Sequence, residues 1–204
     1  MTESQWDEKL NIRTVGRDGS HSDEYHYPYE PTPYSVLQRL AESGYITAEN
    51  TVIDYGCGKG RVGFFLNQQL GCRIIGVEYD GNLYSQAKQN QVYYIGNPKI
   101  DFVCSAAEDY EVRTADCFYF FNPFSEGILR KVLGRIMESY YDAPREMKLF
   151  FYYPSDEYVG YLMTAEELMF LDEIDCRDLF AGEDSRERIL IFEMEGLDES
   201  RRDF

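Results

Sequence analysis

The sequence predicts one α/β domain with a mostly parallel sheet, and three observations lead there. Thr51-Val52-Ile53 is a short β-branched run ending in Asp54. Glycines follow at every second position, Gly56, Gly58 and Gly60, and then a segment with Val62, Phe65, Leu66 and Leu70 on one helical face. Asp116 to Phe121 has one acidic entrance and is then apolar throughout, as a central strand buried on both faces should be. A chain of 204 residues, 44% of them hydrophobic, fits one domain with a real core better than two.

Taken in order, the chain begins with a polar stretch to about residue 24, in which Trp6 and Leu10 are the few anchors. It reads as a loose arm with one helical turn, and His21 as a solvated loop residue. Tyr25 to Tyr34 carries three prolines, which force extended or turn geometry. Thr32 then stands where an N-cap would stand, with Pro33 at the first helical position. That helix continues through Val36, Leu37 and Leu40 to about Ser43, and Gly44 stops it. After the glycine segment, Arg73 to Glu78 reads as a second strand, Asn82 to about Val92 as a helix, and Ile100 to Cys104 as a third strand. Beyond the central strand, Ser125 caps a long helix whose apolar face runs from Ile128 through Ile136 to Tyr140. Met147 to Tyr153 is a fifth strand, followed by a short helical segment to about Leu168. Met169 to Cys176 and Arg188 to Met194 form a closing hairpin. Residues 1–45 are expected to be an arm and a leading helix, 46–196 the core, and 197–204 a charged tail.

Composition narrows the function. The formal net charge is −17, which repels a phosphate backbone, and no block of Lys and Arg offsets it. A small molecule or a basic protein segment suits this chain better than long duplex nucleic acid. The five cysteines are scattered, none in Cys-x-x-Cys, and the chain has two histidines, so no metal site is expected. Free thiols fit a reducing cytosol, and no apolar run approaches the length that spans a membrane.

The strand, glycine turn and helix bring bare backbone to a ligand at the carboxyl end of a strand. A phosphate-cradling loop needs Gly-Lys followed by Ser or Thr, but Gly60 follows Lys59. A dinucleotide loop puts its third glycine where this chain has Arg61. A ligand with no pyrophosphate and a cationic amino-acid end suits the pattern better, with Asp54 facing that end directly or through water. A tight turn with no ligand would use the same glycines.

Val52-Ile53-Asp54-Tyr55-Gly56-Cys57-Gly58-Lys59-Gly60 resembles the first motif of class I S-adenosylmethionine-dependent methyltransferases. Ile74-Ile75-Gly76-Val77-Glu78 resembles the strand ending in the acidic residue that binds both ribose hydroxyls in that family. A carboxylate can accept two hydrogen bonds side by side, which explains the residue type. The resemblance implies a three-layer Rossmann-like fold with a seven-stranded, mostly parallel sheet and a C-terminal antiparallel hairpin. It implies S-adenosyl-L-methionine as the cofactor, held by Asp54, Gly56, Gly58, Gly60 and Glu78. Tyr29-Glu30-Pro31-Thr32-Pro33 resembles the loop before the core in some non-SET protein-lysine methyltransferases. That likeness would put Tyr29, Glu30 and Thr32 on the cofactor; a proline-stiffened lead into the helix would look the same. After the third strand the family often carries an acidic residue on the adenine. Here Ala106 stands at that place, so the backbone of Ala106 or Ala107, or the Glu108 side chain, would serve instead.

Asn122-Pro123-Phe124 follows the fourth strand, where the family places groups that hold the acceptor. It is similar to the Asn-Pro-Pro-aromatic ending of the amino-group methylators, with one proline missing. Asn122 and the carbonyl of Pro123 can accept hydrogen bonds from an amine, Asn122 also facing the cofactor. Phe124 can wall the site or hold a methylated ammonium by cation–π attraction. A plain strand-ending turn is the competing reading. The expected activity is methylation of a protein lysine or another amine. The alternatives are methylation of an RNA or DNA base, which the acidity opposes, and a non-catalytic module that holds the cofactor.

Overall fold

A computed structural model describes residues 1–16, 29–96, 99–182 and 184–195. His21, Tyr25 to Pro28 and the tail from 197 lie outside the described residues. The chain runs α1 (Glu3–Leu10), α2 (Tyr34–Glu42), β1 (Thr51–Tyr55), α3 (Arg61–Leu70), β2 (Arg73–Glu78), α4 (Gly81–Tyr93), β3 (Ile100–Cys104) and β4 (Cys117–Phe120). It continues with α5 (Glu126–Asp142), β5 (Lys148–Tyr152), α6 (Asp156–Leu162), β6 (Leu168–Asp175) and β7 (Arg188–Met194). All strands join one seven-stranded sheet in the order β3-β2-β1-β4-β5-β7-β6. The first five are parallel, and β7 lies antiparallel between β5 and β6. The seven-stranded α/β fold expected from sequence is therefore the fold observed.

The pleat sends alternate residues to opposite faces, and each face has its own core. Val52, Ile74, Tyr119 and Phe150 pack with α2 and α3 through Leu37, Leu40, Phe64 and Phe65. Ile53, Phe118, Phe151 and Leu190 pack with α5 through Leu129, Val132 and Ile136. Residues 117–120 are buried on both faces, which is why that run lacks polar alternation. Under the site, Tyr55, Phe120 and Phe151 stack in register across β1, β4 and β5. Their ring centroids lie 5.2 Å and 4.7 Å apart. This ladder makes the carboxyl ends of the three strands one rigid platform.

Three expectations are corrected. The start of the chain is not a loose arm: α1 has a Thr2–Gln5 capping box and packs Trp6 against Tyr34 and Phe65. Pro33, not Thr32, occupies the N-cap of α2, because the Thr32 hydroxyl is 3.0 Å from the Tyr119 hydroxyl in the core. Ser125 does occupy the N-cap of α5, but its side chain makes no capping bond. Asp80 and Ser155 do cap α4 and α6 with their side chains. The five cysteines are all free, and only Cys104 is exposed.

Candidate active site

After β1 the chain goes to β2 and β3 on one side, then crosses back to β4 on the other. Such a reversal opens a crevice at the carboxyl ends of the strands. A cavity of about 700 Å³ occupies it. Its walls come from the ends of β1, β2, β4 and β5, from residues 29–33, and from the segment before β7.

The glycine loop turns tightly over the end of β1. Gly56 and Cys57 both donate to the Val77 carbonyl, at 2.9 and 3.1 Å. Gly56 has φ 72°, and a Cβ there would lie 2.4 Å from Pro123 Cβ. Gly58 has φ 54°, and a Cβ would lie 2.3 Å from the Tyr29 ring. Both positions combine a left-handed backbone with a close neighbour, so only glycine fits. Gly60 is the left-handed N-cap of α3. Gly56 lines the cavity, whereas Gly58 and Gly60 do not.

Two carboxylates stand at the strand ends. Asp54 is 3% exposed, and its Oδ2 has no hydrogen-bond partner among the described residues. Burial, reinforced by the nearby Glu78 charge, pushes the Asp54 carboxyl up to about 8. Glu78 accepts the Gly58 N–H at 2.7 Å with one oxygen and the Asp80 N–H at 2.8 Å with the other. Burial raises its pKa, and these two backbone bonds oppose the rise.

The loop before α2 covers the glycine turn. The Tyr29 hydroxyl donates to the Thr14 carbonyl at 2.7 Å, and Lys59 Nζ sits 4.9 Å from the ring centre. Tyr29, Glu30 and Thr32 all line the cavity. Arg61 organises this corner and is 3% exposed. Its Nε donates to Thr14 Oγ1 at 2.7 Å, and its Nη1 donates to the Glu3 carboxylate and to the Thr32 carbonyl. Its guanidinium lies 4.4 Å from the Tyr34 ring centre and is ion-paired with Asp7. Asp7 in turn accepts from Thr14 N, Thr14 Oγ1, Val15 N and the Tyr34 hydroxyl. Sequence reasoning noticed Arg61 only as the missing third glycine.

On the β3 side, Ser105, Ala107 and Glu108 line the cavity and Ala106 does not. The Glu108 carboxylate is also 3.7 Å from Lys131 Nζ. On the β4 side, Asn122, Pro123 and Phe124 all line it. Asn122 has φ 38°, and its side chain is pinned to the end of β5. Its Nδ2 donates to the Tyr153 carbonyl, and its Oδ1 accepts from Ser155 N at 3.2 Å. Phe124 is 3% exposed, and its carbonyl accepts from the Tyr158 hydroxyl at 2.6 Å. Its ring is thus a floor of the cavity rather than a freely exposed wall.

Sequence reasoning missed the far wall, made by Phe121, Tyr152, Tyr153, Phe180, Arg186 and Glu187. The chain brings residue 187 to residue 152 only through the antiparallel pairing of β7 with β5, which matches Tyr152 with Ile189. The available signal was a Tyr-Tyr pair ending a predicted strand beside the site. Among the described residues no group of three or more His, Cys, Asp or Glu could hold a metal ion. No described helix is long and apolar enough to cross a membrane.

A family model described as a methyltransferase domain matches residues 52–142. The chain is similar to the H3 lysine-79-specific histone-lysine N-methyltransferase of Dictyostelium discoideum. The two are 42% identical over 65 residues, or 32% of this chain and 3% of that one. It is also similar to the carboxy-S-adenosyl-L-methionine synthase of Shewanella woodyi, 26% identical over 85 residues, or 39% of this chain and 35% of that one. The chain thus spans about a third of the synthase and a small fraction of the histone enzyme. Its fold is similar to that of a TehB-like SAM-dependent methyltransferase from Corynebacterium glutamicum. The TM-score is 0.57 at 17% identity, over 95% of this chain and 96% of that one. Sheet order, glycine loop and paired carboxylates agree with that family model: the chain carries a methyltransferase domain over residues 52–142 and has the fold of the class I, Rossmann-like S-adenosylmethionine-dependent methyltransferases.

Proposed function

We propose that this protein transfers a methyl group from S-adenosylmethionine to an amine nitrogen, with a protein lysine as the favoured acceptor. One observation carries the reading: a single cavity joins the Asp54 and Glu78 carboxylates to the Asn122–Phe124 turn. The cofactor fits the residues present. Asp54 has a buried carboxylate oxygen without a partner, which suits the cofactor's ammonium. Both Glu78 oxygens are set by backbone N–H donors and the side chain lines the cavity, which suits a ribose diol. Gly56 leaves room for close approach, and Ala107 and Glu108 replace the missing acidic side chain near the adenine. Tyr29, Glu30 and Thr32 close the methionine end.

The cofactor, when bound, supplies an electrophilic methyl group on a positive sulfur. The chain must then present an uncharged amine in line with that methyl. Asn122 Oδ1 keeps one lone pair beyond its bond to Ser155 N, and with the Pro123 carbonyl it can orient two N–H groups. Phe124 supports the acceptor from below. Residues 46–196 form the catalytic core in this reading, 1–45 its cover and 197–204 a tail, and the free thiols suit work in the cytoplasm. The histone-lysine relative supports a lysine acceptor over a nucleic-acid base, as does the net charge of −17.

The test is to incubate the protein with methyl-labelled cofactor and a cell extract, then separate protein, RNA and small molecules. Label on protein or small amines that disappears with Asn122→Ala is the expected result. Label on RNA would replace the amine reading with base methylation. No label, alongside tight cofactor binding, would favour a binding module.

A further inference from the structure

We propose that Glu187, backed by the Tyr152 hydroxyl and walled by Phe121, Tyr153 and Phe180, is the specificity residue that receives the acceptor as a cation, an alkylammonium on a slender aliphatic stem. This deepens the reading above and rests on it.

The site is built from the end of β5 and the start of β7. Glu187 is held by its own backbone, since its N–H donates to the Asp184 carbonyl at 3.2 Å and its carbonyl accepts from Cys176 N at 2.9 Å. One carboxylate oxygen accepts from the Tyr152 hydroxyl at 2.7 Å. Tyr152 is 2% exposed, and burial above all keeps its hydroxyl protonated, so it remains a donor. No hydrogen bond reaches the second Glu187 oxygen among the described residues, and the residue lines the cavity. A half-buried carboxylate with one oxygen fixed and one open is an acceptor awaiting a donor.

The walls are aromatic. The Phe121 ring lies 4.7 Å from that of Tyr152 and 6.3 Å from that of Tyr153. Phe180 also lines the cavity. Aromatic faces favour a cation and its methylene stem. The bound ammonium gives one proton to solvent before its nitrogen lone pair takes the methyl from the cofactor sulfur, and the methylated product is again a cation.

Charge sets the preference for a cation over a base. Among the described residues the cavity is lined by six acidic side chains and two guanidiniums; Asp54, pushed up to about 8, is the one of the six that holds its proton near pH 7, and Glu108 lies 3.7 Å from Lys131 Nζ. Both guanidiniums are engaged elsewhere. Arg61 binds Glu3, Thr14 and Thr32, and Arg186 binds Asp184 and the Tyr153 hydroxyl. Neither pairs with Glu187. An ammonium beside Glu187 would meet an attraction that a neutral base would not.

The test uses the protein loaded with S-adenosylhomocysteine, with n-butylammonium as probe, 1-pentanol as its neutral analogue and adenine as a base. Binding is followed by NMR titration, and S-adenosylhomocysteine affinity by calorimetry. The wild type should bind butylammonium at least tenfold more tightly than pentanol or adenine. Glu187→Gln, which still accepts from Tyr152, should abolish that preference and leave S-adenosylhomocysteine affinity within twofold. Tyr152→Phe should weaken butylammonium binding several-fold. Failure of loaded wild type to prefer butylammonium, or an unchanged preference in Glu187→Gln, overturns the assignment while the methyltransferase reading stands. Tighter binding of adenine overturns it in favour of a base acceptor. A wild type that does not bind S-adenosylhomocysteine at all overturns both readings together.

Discussion

Gly56 and Pro123 touch, so the glycine loop after β1 and the turn after β4 share one packing surface. A Cβ on residue 56 would fall 2.4 Å from Pro123 Cβ, with a backbone φ of 72° that disfavours any side chain. Gly56→Ala should cost about 1–3 kcal/mol in strain and overpacking. It should also displace the Asn122 turn, so turnover should fall at least tenfold, read beside the midpoint of thermal unfolding. Unchanged turnover in a folded variant would disconnect the two loops.

Asp54 gives cofactor binding a pH dependence. Folding raises its carboxyl from 3.8 to about 8, so between those values the folded chain holds a proton that the unfolded chain releases. The associated stability is complete below pH 3.8 and is lost as the pH rises through about 8. A cofactor ammonium favours the ionised carboxylate. Affinity for S-adenosylhomocysteine should therefore rise by up to about tenfold per pH unit and level off above pH 8. Calorimetry in buffers of different ionisation enthalpy should detect the released proton. In Asp54→Asn the affinity should be weaker and flat with pH; an equal slope there would assign the proton to another group.

The Arg61 network should dominate the stability of the N-terminal segment. Removing a buried partner leaves Asp7 uncompensated, so Arg61→Met should cost about 3–5 kcal/mol in urea unfolding. Arg61→Lys should rescue only part of it, because an ammonium cannot reproduce the forked donation to Thr14, Glu3 and Thr32. Trp6 is the one tryptophan in the chain and packs on Phe65. A red shift of its emission in Arg61→Met, ahead of global unfolding, would register release of α1. Coincident transitions would mean that α1 and the sheet unfold as one unit.

Asn122 is tied at both ends of its amide, and those ties predict its sensitivity. Asn122→Gly keeps the φ of 38° accessible and deletes both side-chain bonds. Stability should drop by roughly 1–3 kcal/mol, and turnover by a hundredfold or more. Asn122→Asp retains acceptance from Ser155 N but sets a carboxylate against the Tyr153 carbonyl, so it should also be poorly active. Single-turnover kinetics with labelled cofactor separates these losses from weakened cofactor binding. Full activity in Asn122→Gly would remove the amide from the reaction.

The sheet was legible because its strands announce themselves locally: β-branched or aromatic runs ending at glycine, acid or Asn-Pro. The ends of β2 and β3 coincide with the expected residues, Glu78 and Cys104. The α1 helix was read as a single turn in a loose arm because Trp6 and Leu10 give too short an apolar stripe, although the Thr2-x-x-Gln5 capping box was in view. Thr32 looked like a cap because local sequence cannot reveal Tyr119, 87 residues away, as a competing partner. Arg61 and Glu187 were illegible for the same reason. Their surroundings are assembled from α1 and residues 29–33 in one case, and from β5 in the other.

The cysteine distribution offers a clock for the whole molecule. Four thiols are sealed in the interior and Cys104 alone is exposed. A thiol reagent in excess should titrate one equivalent quickly, and the other four only as fast as the fold opens. Mass spectrometry of partly labelled protein would then resolve whether those four are released together or one by one. Cys57, Cys72, Cys117 and Cys176 all sit in the cluster packed by α2 and α3. The slow labels therefore time the opening of that side of the sheet, with the α5 side silent.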